Sequence, residues 1–220
     1  MKRYIRSAVK DVMQEPDDLR SNIARDPFTR DSVLHELARD AVWDVRVGAL
    51  TNPNISEQTL REISEVHDID TNMAVAMHPN TPADVLERFA DSPYSDVREG
   101  VARNPGAPEH LLQKLSRDSE SSIREAVAQN PGTSKETLAE MTKYANSVIA
   151  KNIALNPNTP PEVLTCLADT WTNPNVLLAV AWNSNTPVYV LKDLAARDDS
   201  WGVSSSAKDH LRRLGRFAEQ

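Results

Sequence analysis

The sequence predicts an all-α solenoid. Three observations carry that expectation. Pro27, Pro53, Pro79, Pro105, Pro131 and Pro157 are each 26 residues apart, and after one inserted residue Ser184 takes the proline's place. Leucine stands seven residues after every one of these positions (Leu34, Leu60, Leu86, Leu112, Leu138, Leu164 and Leu191). The alternation of apolar and polar residues that marks strands is absent, so little or no sheet is expected. An internal period of this length is the signature of stacked repeats, in which no unit buries its apolar face alone.

Taking the proline as position zero, each repeat reads as two short helices. The first carries apolar residues at +7 and at +10 (Leu37, Ile63, Phe89, Leu115, Met141, Leu167, Leu194). Thr29, Thr81, Thr133, Thr159 and Thr186 at +2 are expected to cap it, with Pro82, Pro108, Pro160 and Pro187 at its first position. Asp84, Glu136 and Glu162, three residues after a threonine, complete a capping-box spacing. The second helix is expected to start near Asp18, Asp44, Asp70, Asp96, Ser122 and Asn175. Its core face takes −8 (Leu19, Val45, Thr71, Val97, Ile123, Ile149, Val176), −5, which is always small or short, and −4 (Ile23, Ala49, Val75, Val101, Val127, Ile153, Val180). Asn-Pro-Asn and Asn-Pro-Gly join the repeats. They predict type II turns, with positive φ after the proline. Proline also ends the helix before it.

The expected domains are a cap helix over 1–15 (Tyr4, Ile5, Ala8, Val9 and Val12 on one face), a repeat solenoid over 16–209, and a cap or tail over 210–220. Leu211, Leu214 and Phe217 mark that last end.

The stretch Asn156-Pro157-Asn158-Thr159-Pro160-Pro161-Glu162-Val163-Leu164, with Asp96-Val97-Arg98-Glu99-Gly100-Val101-Ala102-Arg103-Asn104-Pro105, resembles the leucine-rich repeat variant family over about residues 16–209. The resemblance implies about seven two-helix repeats in a right-handed superhelix, with the second helix partly 3-10. Some members carry an N-terminal cysteine cluster for an iron–sulfur centre. This chain lacks those cysteines, so that chemistry is not implied here. The family has no general activity to hand on, and fold alone does not give function.

Composition closes several classes. Cys166 is the single cysteine, so disulfide frameworks and multi-cysteine metal sites are excluded. No apolar run is long enough to span a membrane, and residues 1–18 have no secretory apolar core. A reducing, cytoplasmic setting is expected. The net charge is −7. His35, His67, His78, His110 and His210 have no ligand spacing and are expected at the surface, so no metal or cofactor is expected. There is no P-loop, no G-x-G-x-x-G and no nucleophile elbow. The expectation is a non-enzyme.

The candidate contacts lie at −7 and −2. Arg20, Arg46, Arg98 and Arg124 at −7 form either a ladder for acidic partners or structural pairs with the carboxylates of neighbouring caps. Position −2 holds Arg25, Thr51, Met77, Arg103 and Gln129, so it is expected to face solvent, and it then turns apolar at Leu155 and Trp182. From Ala145 to Leu191 only Lys151, Glu162 and Asp169 are charged. The sequence thus points to a scaffold for a protein partner. Arg98, Arg103 and Arg124 are its polar contacts, and Leu155, Leu177 and Trp182 the apolar centre. The alternative is a nucleic-acid-binding helical-repeat protein of glycosylase type, using Trp43, Trp171, Trp182 and Trp201. Acidity disfavours it, because such a protein needs a net basic face.

Overall fold

A computed structural model describes residues 9–66, 68–197 and 202–218, with the side chains of 216–218 excepted. The described residues are helical, and no strand occurs among them. In chain order the helices are α1 (Val9–Val12), α2 (Asp17–Arg25), α3 (Asp31–Leu37), α4 (Trp43–Leu50), α5 (Glu57–Ile63), α6 (Ile69–Met77), α7 (Ala83–Phe89), α8 (Ser95–Arg103) and α9 (Glu109–Leu115). They continue as α10 (Ser121–Gln129), α11 (Lys135–Met141), α12 (Ser147–Leu155), α13 (Pro161–Thr170), α14 (Pro174–Trp182), α15 (Val188–Ala196) and α16 (Val203–Ala218). The odd-numbered helices from α3 onward are the first helices of the repeats, and the even-numbered are the second. The second helices are α-helical throughout, whereas the resemblance implies partial 3-10 character. A 3-10 turn is described at Thr142–Tyr144.

The chain divides into two compact units, Met1–Leu111 and Leu112–Gln220. In the first, each second helix packs on the next, α2 on α4, α4 on α6 and α6 on α8. The second unit repeats this with α10 on α12, α12 on α14 and α14 on α16. Within each unit the core is built from the columns read from the sequence, although Leu19 at −8 is half-buried and Asn22 at −5 is exposed. Every +7 leucine and every +10 residue is buried, as is every −4 residue. A further column at −3 (Ala24, Leu50, Ala76, Ala102, Ala128, Ala154, Ala181) is also fully buried. Small residues there let neighbouring second helices approach closely. At Gly100 the approach is tightest, since a Cβ would lie 2.8 Å from Ala76 Cβ.

Proline ends the second helices as expected. Asp26, His78, Asn104, Asn130 and Asn156, each before proline, are extended, and so is Asn183 before Ser184. The turns themselves differ from expectation. No described non-glycine residue has positive φ, and among the glycines only Gly202 does, so the residue after proline is not left-handed. These are type I turns closed by bonds such as Thr29 N–H to Asp26 O (2.9 Å) and Thr159 N–H to Asn156 O (3.1 Å). The asparagine at −1 decides this. Its Oδ1 accepts the N–H two residues on, as in Asn156 with Asn158 (2.9 Å) and Asn104 with Gly106 (2.7 Å). That asx-turn favours asparagine at the first position of a type I turn.

The threonines do not cap the helices that follow them. Each turns back, and its hydroxyl donates to the −4 carbonyl of the helix just ended: Thr29 to Ile23 O, Thr133 to Val127 O and Thr186 to Val180 O, all 2.6 Å. The first helices start later, with caps at +3. Ser56 and Ser134 accept there from Thr59 and Thr137 N–H, both 3.1 Å. Pro82, Pro160 and Pro187 hold the same cap position with extended backbone. Asp84, Glu136 and Glu162 therefore form no capping box with the threonines. The caps of the second helices lie two residues before those expected, at Pro16, Val42, Asp68, Tyr94, Glu120 and Asn173, and α12 is capped by Asn146. Asp18, Asp44, Asp70 and Asp96 consequently lie inside the first turn, where they favour the helix dipole.

At the N-terminal end, Val12 of α1 is buried, while Tyr4, Ile5 and Ala8 of the expected cap helix lie outside the described residues. At the other end α16 runs unbroken across residues 209 and 210. Leu211 is half-buried and Leu214 exposed, and Phe217 is outside the described side chains.

Candidate functional site

The −1 and +1 columns form a ladder that joins repeats. Asn52 Nδ2 donates to Ala24 O (2.7 Å) and Asp26 O (2.8 Å), and Asn104 Nδ2 to Ala76 O and His78 O, both 2.7 Å. In the second unit Asn156 reaches Ala128 O and Asn130 O, both 2.9 Å, and Asn183 reaches Ala154 O (2.7 Å) and Asn156 O (2.9 Å). Asn158 and Asn185 add outer rungs to Pro131 O (2.7 Å) and Pro157 O (2.8 Å). These side chains satisfy the carbonyls left at helix C-termini. They are structural, and they leave the other faces of the repeats to carry function.

His78 is a ladder member and not a surface histidine. It is buried where five of the seven repeats place asparagine. Its Nδ1 accepts Asn80 N–H (3.1 Å), so Nε2 carries the proton and donates to Asn52 O (3.2 Å). Burial holds its pKa below the ordinary 6.5, and the bond to Asn52 opposes this only in part. His210 occupies the equivalent place in α16, donating from Nδ1 to Ala181 O (2.8 Å).

The −7 arginines are half-buried and occupied within the fold. Arg98 Nη1 donates to Ser92 O (2.9 Å), and Arg124 Nη1 to Asp118 O (2.6 Å) and Ser119 O (2.8 Å). Arg46 does the same with Asp40 O (2.8 Å) and Ala41 O (3.0 Å). Each guanidinium clamps the turn that leads into its own helix. Arg20 makes a fork with Asp40, Nε to Oδ2 at 2.7 Å and Nη2 to Oδ1 at 3.0 Å. Arg103 is different. It is exposed at −2 and pairs with Glu99 at 2.8 Å within its own helix.

In the second unit Leu155 is 45% exposed and Trp182 61% exposed, at equivalent places on the packed helices α12 and α14. Leu177 is not part of that surface. At 6% exposure it is buried, as is Ala150 in the same column. Position −7 lies at the edge of the stack, where an arginine stem is already half covered. A leucine there sinks into the space.

Beside Trp182 lies a groove of about 460 Å³ between α14 and α16, lined also by Ala181, Ser184, Ser206, Asp209, His210, Arg213 and Leu214. Its far wall exists because Leu211 stands where the other repeats have proline or Ser184. Without that break α16 continues for 16 residues, where the other second helices stop after eight or nine. Leu214 was read only as marking the last end of the chain, and Arg213 was not singled out. The missing proline was the signal available. Trp43 is exposed and Trp171 half-buried, and Trp201 lies outside the described residues. Cys166 is exposed. Among the described residues no three His, Cys, Asp or Glu side chains are grouped to hold a metal, and no helix is long and apolar enough to cross a membrane.

No protein-family model matches the chain. No curated protein matches it either. Among solved structures it is similar to a leucine-rich repeat variant described as having a novel repetitive structural motif, at 20% identity and a TM-score of 0.59. That alignment covers 92% of this chain and 79% of the other. Crystal structures of two engineered proteins align more loosely, at 15% and 16% identity and TM-scores of 0.40 and 0.33, covering 94% and 89% of this chain and 77% and 97% of theirs. With its 26-residue period, its paired helices and its stacked second helices, the chain has the fold of a leucine-rich repeat variant.

Proposed function

We propose that the chain is a non-enzymatic scaffold that binds another protein through the second-helix face of its C-terminal unit. One observation carries this reading. Leu155 and Trp182 stand exposed at the same repeat position on adjacent helices, where earlier repeats place Arg25, Thr51, Arg103 and Gln129, with the exposed Met77 the one apolar residue among them. Exposed apolar side chains aligned in this way are unfavourable in water and mark contact surfaces, and tryptophan is a frequent anchor. A rigid helical stack presents them with little ordering on binding. Arg103, in the other unit, is an exposed polar contact candidate. Arg98 and Arg124 contribute by holding turns, and Leu177 by packing. With a single cysteine and no disulfide to maintain, the chain suits a cytoplasmic setting.

The test is affinity capture from a native extract with the full chain, alongside Leu155→Asp and Trp182→Ala. Both variants should keep the wild-type melting temperature and lose the partner. Partners retained by both variants would count against this face.

A further inference from the structure

The groove between α14 and α16 has the chemistry of a peptide site with a defined charge preference. One wall is Trp182, exposed and apolar. Leu214 and Arg213 of α16 line it as well. Polar residues line the same space: Ser184, Ser206, His210 and Arg213. Because His210 Nδ1 donates to Ala181 O, Nε2 of the neutral ring is left as an acceptor. The acid of the groove, Asp209, is already taken by Arg212 at 2.5 Å. Among the described residues no carboxylate pairs with Arg213. Over its length α16 carries Lys208, Arg212, Arg213 and Arg216 against Asp209 alone, in a chain whose net charge is −7. This local positive excess stands next to a helix, α14, that carries no charge at all.

We infer that this groove takes an acidic side chain of a partner's extended peptide segment, with a neighbouring apolar side chain lying on Trp182. The inference rests on the reading that Leu155 and Trp182 form a contact face, and it names what that face selects. A carboxylate meets the two-pronged donor geometry of arginine and the serine hydroxyls. A peptide N–H from the same segment meets His210 Nε2. Trp182 supplies apolar area at low entropic cost.

Random peptides displayed on phage are panned against the full chain. The retained sequences should share Asp or Glu beside Leu, Ile or Phe. A synthetic copy of the commonest binder should lose affinity about tenfold or more when its acid becomes the amide, and as much on Arg213→Glu. A lysine in place of that acid should recover binding to the Arg213→Glu protein. Arg213 is exposed, so the melting temperature of this variant should match wild type. Retained peptides without an acid, or binding indifferent to Arg213→Glu, would overturn the inference. If such peptides still depend on Leu155 and Trp182, the wider reading of the face stands. If no retained peptide depends on either residue, both are overturned.

Discussion

His78 donates from Nε2 to the backbone carbonyl of Asn52 at 3.2 Å, one repeat back, and so does with an imidazole what asparagine does elsewhere in the ladder. The two residues hold the same repeat position, and Asn52 itself reaches back to Ala24 and Asp26. The rung is complete only while the ring is neutral. Nδ1 must accept from Asn80, and a second proton would set N–H against N–H in a buried place. No charged group contributes to lowering its pKa, which follows first from burial.

Because the folded pKa is depressed below 6.5, the rung's contribution is fully present above that value. It is lost as pH falls from there through the folded value, since the unfolded chain binds the proton more readily. His78→Asn restores the column residue and removes this titration. The variant should be within about 1 kcal/mol of wild type at about pH 7.5, and the more stable of the two at about pH 5. Urea unfolding at both values decides it. Parallel losses in the two proteins would mean that another group controls the acid response.

The ladder's direction is tested at Asn156, which gives two bonds backward and takes one forward. Asn156→Ala leaves the Ala128 and Asn130 carbonyls short of a donor and should destabilise by about 2–4 kcal/mol. Asn156→Asp keeps the shape but sets a carboxylate against two carbonyls. It should be worse than alanine at neutral pH and recover as acid protonates the side chain. Equal melting temperatures for the two variants would reduce the ladder to a matter of shape.

The ladder also shows what the sequence conveys and what it withholds. The stack was legible because burial repeats with the period. Leu34 and Leu191 occupy the same environment, and one is read from the other. The turn chemistry was not legible in the same way. Asparagine at −1 and threonine at +2 each recur in five of the seven repeats, yet recurrence does not say whether a side chain serves its own helix, the next helix or the previous repeat. Local rules assign Thr159 to the following helix as a cap, while its hydroxyl bonds back to Ile153 O. The clue was the recurrence of Asn52, Asn104, Asn130, Asn156 and Asn183 in one column, which a bend alone does not require. Leu177 shows the same gap at the site. It was read as part of the apolar centre of a contact face, but the arginines of its column are half-buried along their stems, and a leucine in the same place is buried.

The −5 column gives two predictions of opposite sign. Asn152 breaks a column otherwise small in the second unit, is only 7% exposed, and leaves Nδ2 without an acceptor. Asn152→Ala should therefore stabilise the chain by about 1–2 kcal/mol, combining the relieved amide with better helix propensity. Gly100→Ala gains the same propensity but puts a methyl 2.8 Å from Ala76 Cβ and 3.0 Å from Met73 O. It should lower stability by about 1 kcal/mol or more, because overpacking exceeds the helical gain. Thermal melts of the two variants should shift in opposite directions. A loss for Asn152→Ala would mean that its amide is engaged in solution.

Arg20 and Asp40 form a largely buried ion pair of the N-terminal unit that is expected to set its acid limit. Asp40 is buried, which by itself pushes its carboxyl upward, but the hydrogen bonds from Arg20 and Val42 N–H and the arginine charge outweigh this and hold it below 3.8. Arg20 is in turn raised, chiefly by that hydrogen bond. The same guanidinium donates to Glu15 O (2.7 Å), so the pair ties the entry of α2 to the turn before α4. Since the folded pKa is depressed, the contribution is present above the unfolded value and lost as pH falls through the folded one. Asp40→Asn should remove that dependence. It should also destabilise at neutral pH by about 1–3 kcal/mol, because a half-buried guanidinium loses its buried counter-charge and keeps only the exposed Asp17 at 3.0 Å. Hydrogen exchange on the N–H groups of α2 and α4, followed from neutral pH to about pH 3, reads the pair directly. Protection should fall with acid in the wild type and start low and stay flat in the variant. Matching acid profiles would assign the limit to other carboxylates.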